Sequence, residues 1–248
     1  MATAKPSDRS LISILGLKLS RVVIDAGHGG HDTGSIGPTG FTEKELVLDV
    51  AKRLKVLIEA EMGAEAVMTR TDDTFVPLES RTKIATKEEA DLFISIHANS
   101  SQVKSVRGVE TFFLNFNTQS RDALMTAARE NAATERNIHD LHDIVEKITL
   151  NDKVDESREL AGYIQSAMSK RANAGTNRGV KAAPFVVLIG ASIPSVLAEI
   201  SFISNPDEER QLKTPAYRQQ IAESLFQGIK SYAETLSSTK TAKAQGKN

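Results

Sequence analysis

The chain has 248 residues, with 31 Lys plus Arg against 32 Asp plus Glu, 40% hydrophobic residues and no cysteine. That length and apolar content suffice for one large domain or two small ones, with a core that needs no staple. The balanced charge argues against a dedicated nucleic-acid binder, and the missing cysteine removes disulfides, thiolate metal sites, iron–sulfur clusters and a cysteine nucleophile.

Residues 1–20 form an approach segment. Within it, LISILGL at 11–17 follows Lys5 and Arg9 in the manner of a signal peptide. The run is short, lacks a small-residue cleavage site and leads almost directly into a strand, which assigns it to the folded part or its approach. RVVIDAG at 21–27 is a β-branched run closed by glycine, a buried strand. A loop with six glycines covers 27–40. Thr42-Glu43-Lys44-Glu45 reads as a capping box, with Thr42 at the N-cap and Glu45 at N3. Leu46, Val47, Val50, Leu54, Leu57 and Ile58 carry the helix to about Glu61, and Gly63 stops it. AEAVMTR at 64–70 predicts a second strand, and Pro77 opens a short helix to about Glu89. DLFISIHA at 91–98 and GVETFFLN at 108–115 predict strands three and four.

Residues 118–154 are polar and charged, with no strand signal. Ile138, Leu141, Val145 and Ile148 make a narrow apolar stripe there at helical spacing, and His139 and His142 are read as solvated. Segment 156–173 is a further helix. The most apolar stretch, 184–204, is interrupted by Pro184, Gly190, Pro194 and Glu199, which disfavours a membrane span. FVVLI at 185–189 and SVLAEIS at 195–201 predict strands five and six instead. Thr214-Pro215 opens a last helix with Tyr217, Ile221, Leu225 and Ile229 on one face, and 237–248 reads as a flexible tail. Strands alternating with helices predict an α/β fold: a single domain with a twisted, mainly parallel six-stranded sheet flanked by helices, and a helical insert.

In such a sheet the ligand crevice lies beyond the carboxyl ends of the strands. His28 follows strand one, His97 ends strand three, and Glu43 begins the helix after the glycine loop. Two His and one Glu are a known zinc set that leaves one position for water. The spacing is not H-E-x-x-H. Glu199 alternates with apolar neighbours in SVLAEIS, where a carboxylate is costly to bury unless paired or metal-linked. Aimed into the crevice, it would serve as general base for the metal's water. Each residue also has a plain structural account. His97 alone suits a packed core histidine, Glu43 a charge at a helix N-terminus, and Glu199 an edge-strand charge. The glycine loop suits a phosphate cradle, but G-x-G-x-x-G and G-x-x-x-x-G-K-[ST] are both absent. His31 is placed behind the ligands or on the loop surface. Spacing alone leaves the metal site and these structural accounts both open.

VVIDAGHGGHDTGSIG, TEKEL, DLFISIHAN and PSVLAEISFISNPDEE, in that order, resemble the zinc-dependent N-acetylmuramoyl-L-alanine amidases. The likeness is nearest to the catalytic domain of the bacterial cell-division amidases and covers about residues 21–236. The family pattern has proline where Ala26 and Thr33 stand here, which alters loop stiffness but no ligand. The resemblance implies one Zn²⁺ per chain, bound by His28, Glu43 and His97, with Glu199 catalytic. Glu199 would take the proton of the attacking water and return it to the leaving amine. The implied reaction is hydrolysis of the amide between the lactyl group of N-acetylmuramic acid and the L-alanine of the peptidoglycan stem peptide.

Asn99 and Arg81 are candidates for substrate binding, Arg81 also for a structural role. The resemblance further implies that 118–154 is an autoinhibitory insert, with Glu130 or Glu135 reaching the metal's open position. A LytM-type activator protein docked on the insert would displace it. The structural account of the same segment is a solvated helical hairpin. The implied setting is the periplasm or cell envelope, in wall remodelling and daughter-cell separation, as a monomer without nucleic acid or membrane span. No export signal or wall-targeting domain is read in the sequence, and a trimmed catalytic fragment is expected. Two other functions stay open: a zinc peptidase acting on wall peptides, and an inactive wall-binding or regulatory module.

Overall fold

The computed structural model describes residues 19–133 and 151–245. Six strands form one sheet: β1 (Arg21–Ala26), β2 (Glu65–Met68), β3 (Leu92–Asn99), β4 (Val109–Leu114), β5 (Asn177–Ala183) and β6 (Ser195–Phe202). Their order is β2-β1-β3-β6-β4-β5, parallel throughout except where β4 meets β6. Among the described residues there are six α-helices: α1 (Glu43–Leu57), α2 (Leu78–Lys87), α3 (Arg121–Glu130), α4 (Asn151–Lys170), α5 (Pro206–Leu212) and α6 (Pro215–Gln245). None is long and apolar enough to cross a membrane.

The sheet is buried on both faces, which is why β1 and β3 read as nearly continuous apolar runs rather than alternating ones. On one face Ile24, Ile94, Ile96 and Val196 pack against α1, α4 and α6. The face of α6 carrying Tyr217, Ile221, Leu225 and Ile229 is buried there, as its spacing predicts. On the other face Val23, Phe93, Phe112 and Leu197 pack against α2 and α3.

Thr42 stands at the N-cap of α1, but the expected box closes between side chains only. Thr42 Oγ1 donates to Glu45 Oε2 at 2.6 Å and caps no backbone N–H. The helix widens into a π turn over Ile58–Met62 and stops at Gly63, whose φ of 62° is the left-handed conformation that glycine adopts freely. At the other end of the chain, α6 continues through Gln245, beyond the residue at which the sequence places a tail.

One strand differs from expectation. FVVLI at 185–189 is not strand five: Val186–Leu188 form a single tight turn buried on the second face. The fifth strand is the preceding Asn177–Ala183, at the edge of the sheet. Its first residues, Asn-Arg-Gly-Val-Lys, are partly exposed, with a register shift opposite Val109 and Thr111. An edge strand with one open side needs few apolar residues, so hydrophobicity does not reveal it. Of the insert, α3 and the turn Asn131–Ala133 are described, and α4 begins at Asn151. Glu135, His139, His142 and the apolar stripe lie outside the described residues.

Candidate active site

β1 runs into a turn at His28, whose φ of 59° is left-handed, unusual for a residue with a side chain. His28 Nδ1 pairs with Asp32 Oδ2 at 2.9 Å, which fixes the ring and leaves Nε2 facing inward. Two arginines lie behind the turn. Arg70 Nε donates to Ala26 O, and its Nη2 donates to Gly27 O and Lys44 O. Arg81, 1% exposed, donates from Nη2 to His28 O, from Nη1 to Ala26 O and Asp25 Oδ1, and from Nε to Val76 O. Arg81 thus sits beneath the loop with its donors turned to the backbone. Between binding substrate and supporting the loop, this is the geometry of support. His31 is exposed, its ring against Phe75.

Glu43, the first residue of α1, is completely buried. Its Oε2 accepts from Ser35 N and its Oε1 from Ala98 N, each at 2.8 Å. His97 comes from the end of β3. Gly27 leaves it room: a Cβ at Gly27 would lie 2.4 Å from His97 Cε1. Glu130, the last residue of α3, is the fourth member. His28 Nε2 stands 3.1 Å from Glu43 Oε1 and 3.3 Å from Glu130 Oε2. His97 Nδ1 stands 3.2 Å and 2.9 Å from the same two oxygens. All four donor atoms lie within 4.8 Å of one another. Donors held tetrahedrally about 2.0–2.1 Å from a zinc ion are about 3.3–3.4 Å apart, so the arrangement fits one ion. His28 Nε2 and Glu130 Oε2 are buried without a hydrogen-bond partner, as suits atoms that coordinate a metal.

Electrostatics point the same way. Burial alone would lower the His97 pKa, but the Glu130 charge first, and the close approach of the Glu130 and Glu43 carboxylates, raise it to about 10. Burial would raise the Glu43 and Glu130 pKa values, yet the facing histidines hold both below the ordinary carboxylate range. Glu199 is the exception. It lies across from His97 on the parallel side and from Glu110 on the antiparallel side. It is completely buried, and neither carboxylate oxygen has a partner. Burial first, and the Glu130 charge second, push its pKa well above the ordinary range.

The end of α3 separates two clefts. One, of about 250 Å³, is lined by His28, Asp32, Ser35, Arg129 and Glu130. The other, of about 680 Å³, is lined by Asn99, Glu110, Arg129, Arg178 and Phe202 among others. Asn99 is engaged between them: Nδ2 donates to Glu110 Oε1 at 2.5 Å, and Oδ1 accepts from Arg129 Nη1 at 2.8 Å and from Ser100 N at 2.7 Å. Sequence reasoning missed Glu110, Arg129 and the Asp25–Arg81 pair. Glu110 carried the same signal as Glu199, a carboxylate among apolar strand residues. Arg129, on a polar helix, carried none.

A family profile described as N-acetylmuramoyl-L-alanine amidase matches residues 22–231. The chain belongs to the N-acetylmuramoyl-L-alanine amidase family. The amidase AmiA of Salmonella typhimurium is 41% identical over 220 residues, covering 85% of this chain and 75% of that protein. Among solved structures, an N-acetylmuramoyl-L-alanine amidase from Clostridium difficile aligns with a TM-score of 0.69 at 30% identity, over 88% of this chain and 98% of that one. The CwlD amidase from Clostridioides difficile, solved in complex with the GerS lipoprotein, aligns with a TM-score of 0.68 at 25% identity, over 87% and 99%. The family match spans His28, Glu43, His97, Glu130 and Glu199 and makes the chain an amide hydrolase.

Proposed function

We propose that the chain is a zinc-dependent amidase that hydrolyses the amide between the lactyl group of N-acetylmuramic acid and the L-alanine of the stem peptide, and that α3 holds it closed. The observation that carries this reading is the convergence of His28 Nε2, Glu43 Oε1 and His97 Nδ1, from three separate elements, beside the unpartnered carboxylate of Glu199. Those three residues would hold the metal. Bound zinc supplies Lewis acidity, lowering the pKa of water toward about 7 and polarising the scissile carbonyl.

Glu199 accepts a proton from the attacking water and delivers it to the leaving amine nitrogen. Ser35 N and Ala98 N keep Glu43 oriented, and Asp32 keeps the His28 tautomer. Glu130 occupies the position that water needs, and its charge helps keep Glu199 protonated. Withdrawing α3 relieves both effects at once. Asn99 Oδ1, released from Arg129, keeps its hydrogen bond from Ser100 N and has its second acceptor position for substrate.

The substrate places the enzyme in the cell envelope, in wall remodelling and daughter-cell separation. The GerS complex of a structural relative supports a protein partner for this fold, and α3 is the element that a LytM-type activator would move. One chain supplies all five residues, so a monomer suffices.

Metal analysis and muropeptide products test the reading together. About one zinc per chain, and intact stem peptides released from intact glycan in a chelator-sensitive reaction, are expected. Cut peptide cross-links would replace this reading with a peptidase. Glu199→Gln should keep its zinc and lower the rate by about 10²–10⁴-fold. Equal wall solubilisation by wild type and variant would overturn the catalytic assignment of Glu199, and absence of zinc and of any release by the wild type would leave an inactive wall-binding module.

A further inference from the structure

His28 is the one ligand candidate with a left-handed backbone, at φ 59°. That conformation is costly for an L-residue and persists only where the surroundings impose it. Here the imposing contact is visible. The His28 carbonyl accepts from Arg81 Nη2 at 2.9 Å. The same guanidinium holds Ala26 O at 2.8 Å and Val76 O at 2.9 Å, and is itself fixed by Asp25 Oδ1 at 2.8 Å. Asp25 is tied down in turn by Thr69 Oγ1 and Ser95 Oγ, each at 2.6 Å. No atom of this assembly belongs to the four-donor cluster.

We propose that Arg81 is a positioning residue for the metal: by clamping the carbonyls on either side of Gly27 it holds His28 left-handed, and so sets the affinity of the site for zinc. The inference rests on the zinc reading above. Only arginine's planar fork reaches Val76 O, Ala26 O, His28 O and Asp25 together; lysine keeps the charge but brings a single point donor. The clamp makes the site ready before metal arrives, so its loss appears in metal affinity beyond any loss of stability.

The experiment compares zinc dissociation constants, by competition with a chromogenic chelator, for the wild-type chain, Arg81→Lys, Arg81→Gln and Gly228→Ala. Gly228 packs against Ile164 between α4 and α6 and touches neither the loop nor the Asp25–Arg81 assembly, so Gly228→Ala should lower Tm and leave zinc affinity unchanged. The Arg81 variants should weaken zinc binding by about 10–100-fold, the range of ligand-orienting contacts. Arg81 variants that bind zinc as tightly as Gly228→Ala would overturn the proposal. The wild-type chain gives a reading that needs no variant: in metal-free protein the Arg81 guanidinium protons should exchange slowly and give resolved ¹⁵N-correlated signals. Signals that emerge only after zinc is added would overturn the proposal too, because the clamp would then follow metal binding. If the wild-type chain binds no zinc, the metal reading itself fails, which is a separate outcome.

Discussion

Charge placed inside the protein decides most of what the site can do. Asp25 is completely buried, and burial alone would raise its pKa. The Arg81 guanidinium beside it, and the hydroxyls of Ser95 and Thr69, more than cancel that and hold it below its ordinary 3.8. The folded value is the lower one. The resulting stabilisation is therefore complete above the ordinary value and is lost as pH falls through the folded one. The urea midpoint of the wild-type chain should drop below about pH 4. Asp25→Asn should start lower and lose that part of the pH dependence. Parallel curves for the two proteins would place the acid lability elsewhere. His28, His97 and Glu43 were legible as candidates from their places at strand ends and at the start of the next helix, and Glu199 because a carboxylate is out of place in an apolar strand. Arg81 was legible only as a name, since its four partners lie at positions 25, 26, 28 and 76 and no local pattern joins them.

Among the elements, α3 is the one on which the proposed closed state depends. Its buried apolar side chains are Ala123 and Ala127, each worth little beyond a methyl group of burial. The end of the helix is pinned instead by Asn131, whose Nδ2 donates to Pro184 O and whose Oδ1 accepts from Val186 N, each at 2.8 Å. Two variants test the closed state from different sides. Glu130→Ala removes the fourth donor, and Asn131→Ala loosens the helix with that donor intact. Both should raise basal release of stem peptides from purified wall, by about tenfold if closure is worth about 1.4 kcal/mol. A fall in rate for both, in folded protein, would make Glu130 part of the working site. The hidden edge strand is the element-scale counterpart of the hidden clamp. β5 is held through Arg178 and Lys181, which reach Glu110 across the sheet, so its stability lies in pairings that hydropathy does not register.

At the scale of the whole molecule, the layer opposite the site depends on α4 and α6 approaching backbone to backbone. A Cβ at Gly228 would lie 2.7 Å from Ile164 Cα. Helix propensity alone favours alanine there by about 1 kcal/mol. The contact reverses the sign: Gly228→Ala should lower stability by about 1–3 kcal/mol, read from urea unfolding. A stabilised variant would show that the two helices have room to part. The layered α/β architecture was legible from alternating patterns, because each pattern reports its own burial. The antiparallel junction of β4 with β6 was not, because strand order is a property of pairs.

The ligand candidates also have a consequence for the chain as a polymer. His28, on the turn that follows β1, and Glu43, His97 and Glu130, from α1, β3 and α3, come from positions 28 to 130 of the sequence. An ion gripping them would join β1, α1, β3 and α3 at a single point, closing long loops that the unfolded chain must otherwise close against entropy. In a protein without cysteine, that ion is the one cross-link the covalent chemistry of the side chains has left open. Stripping it would free the crevice half of the molecule to fray while the layer of α1, α4 and α6 holds. A protease would meet the metal-free enzyme at the glycine loop and at α3.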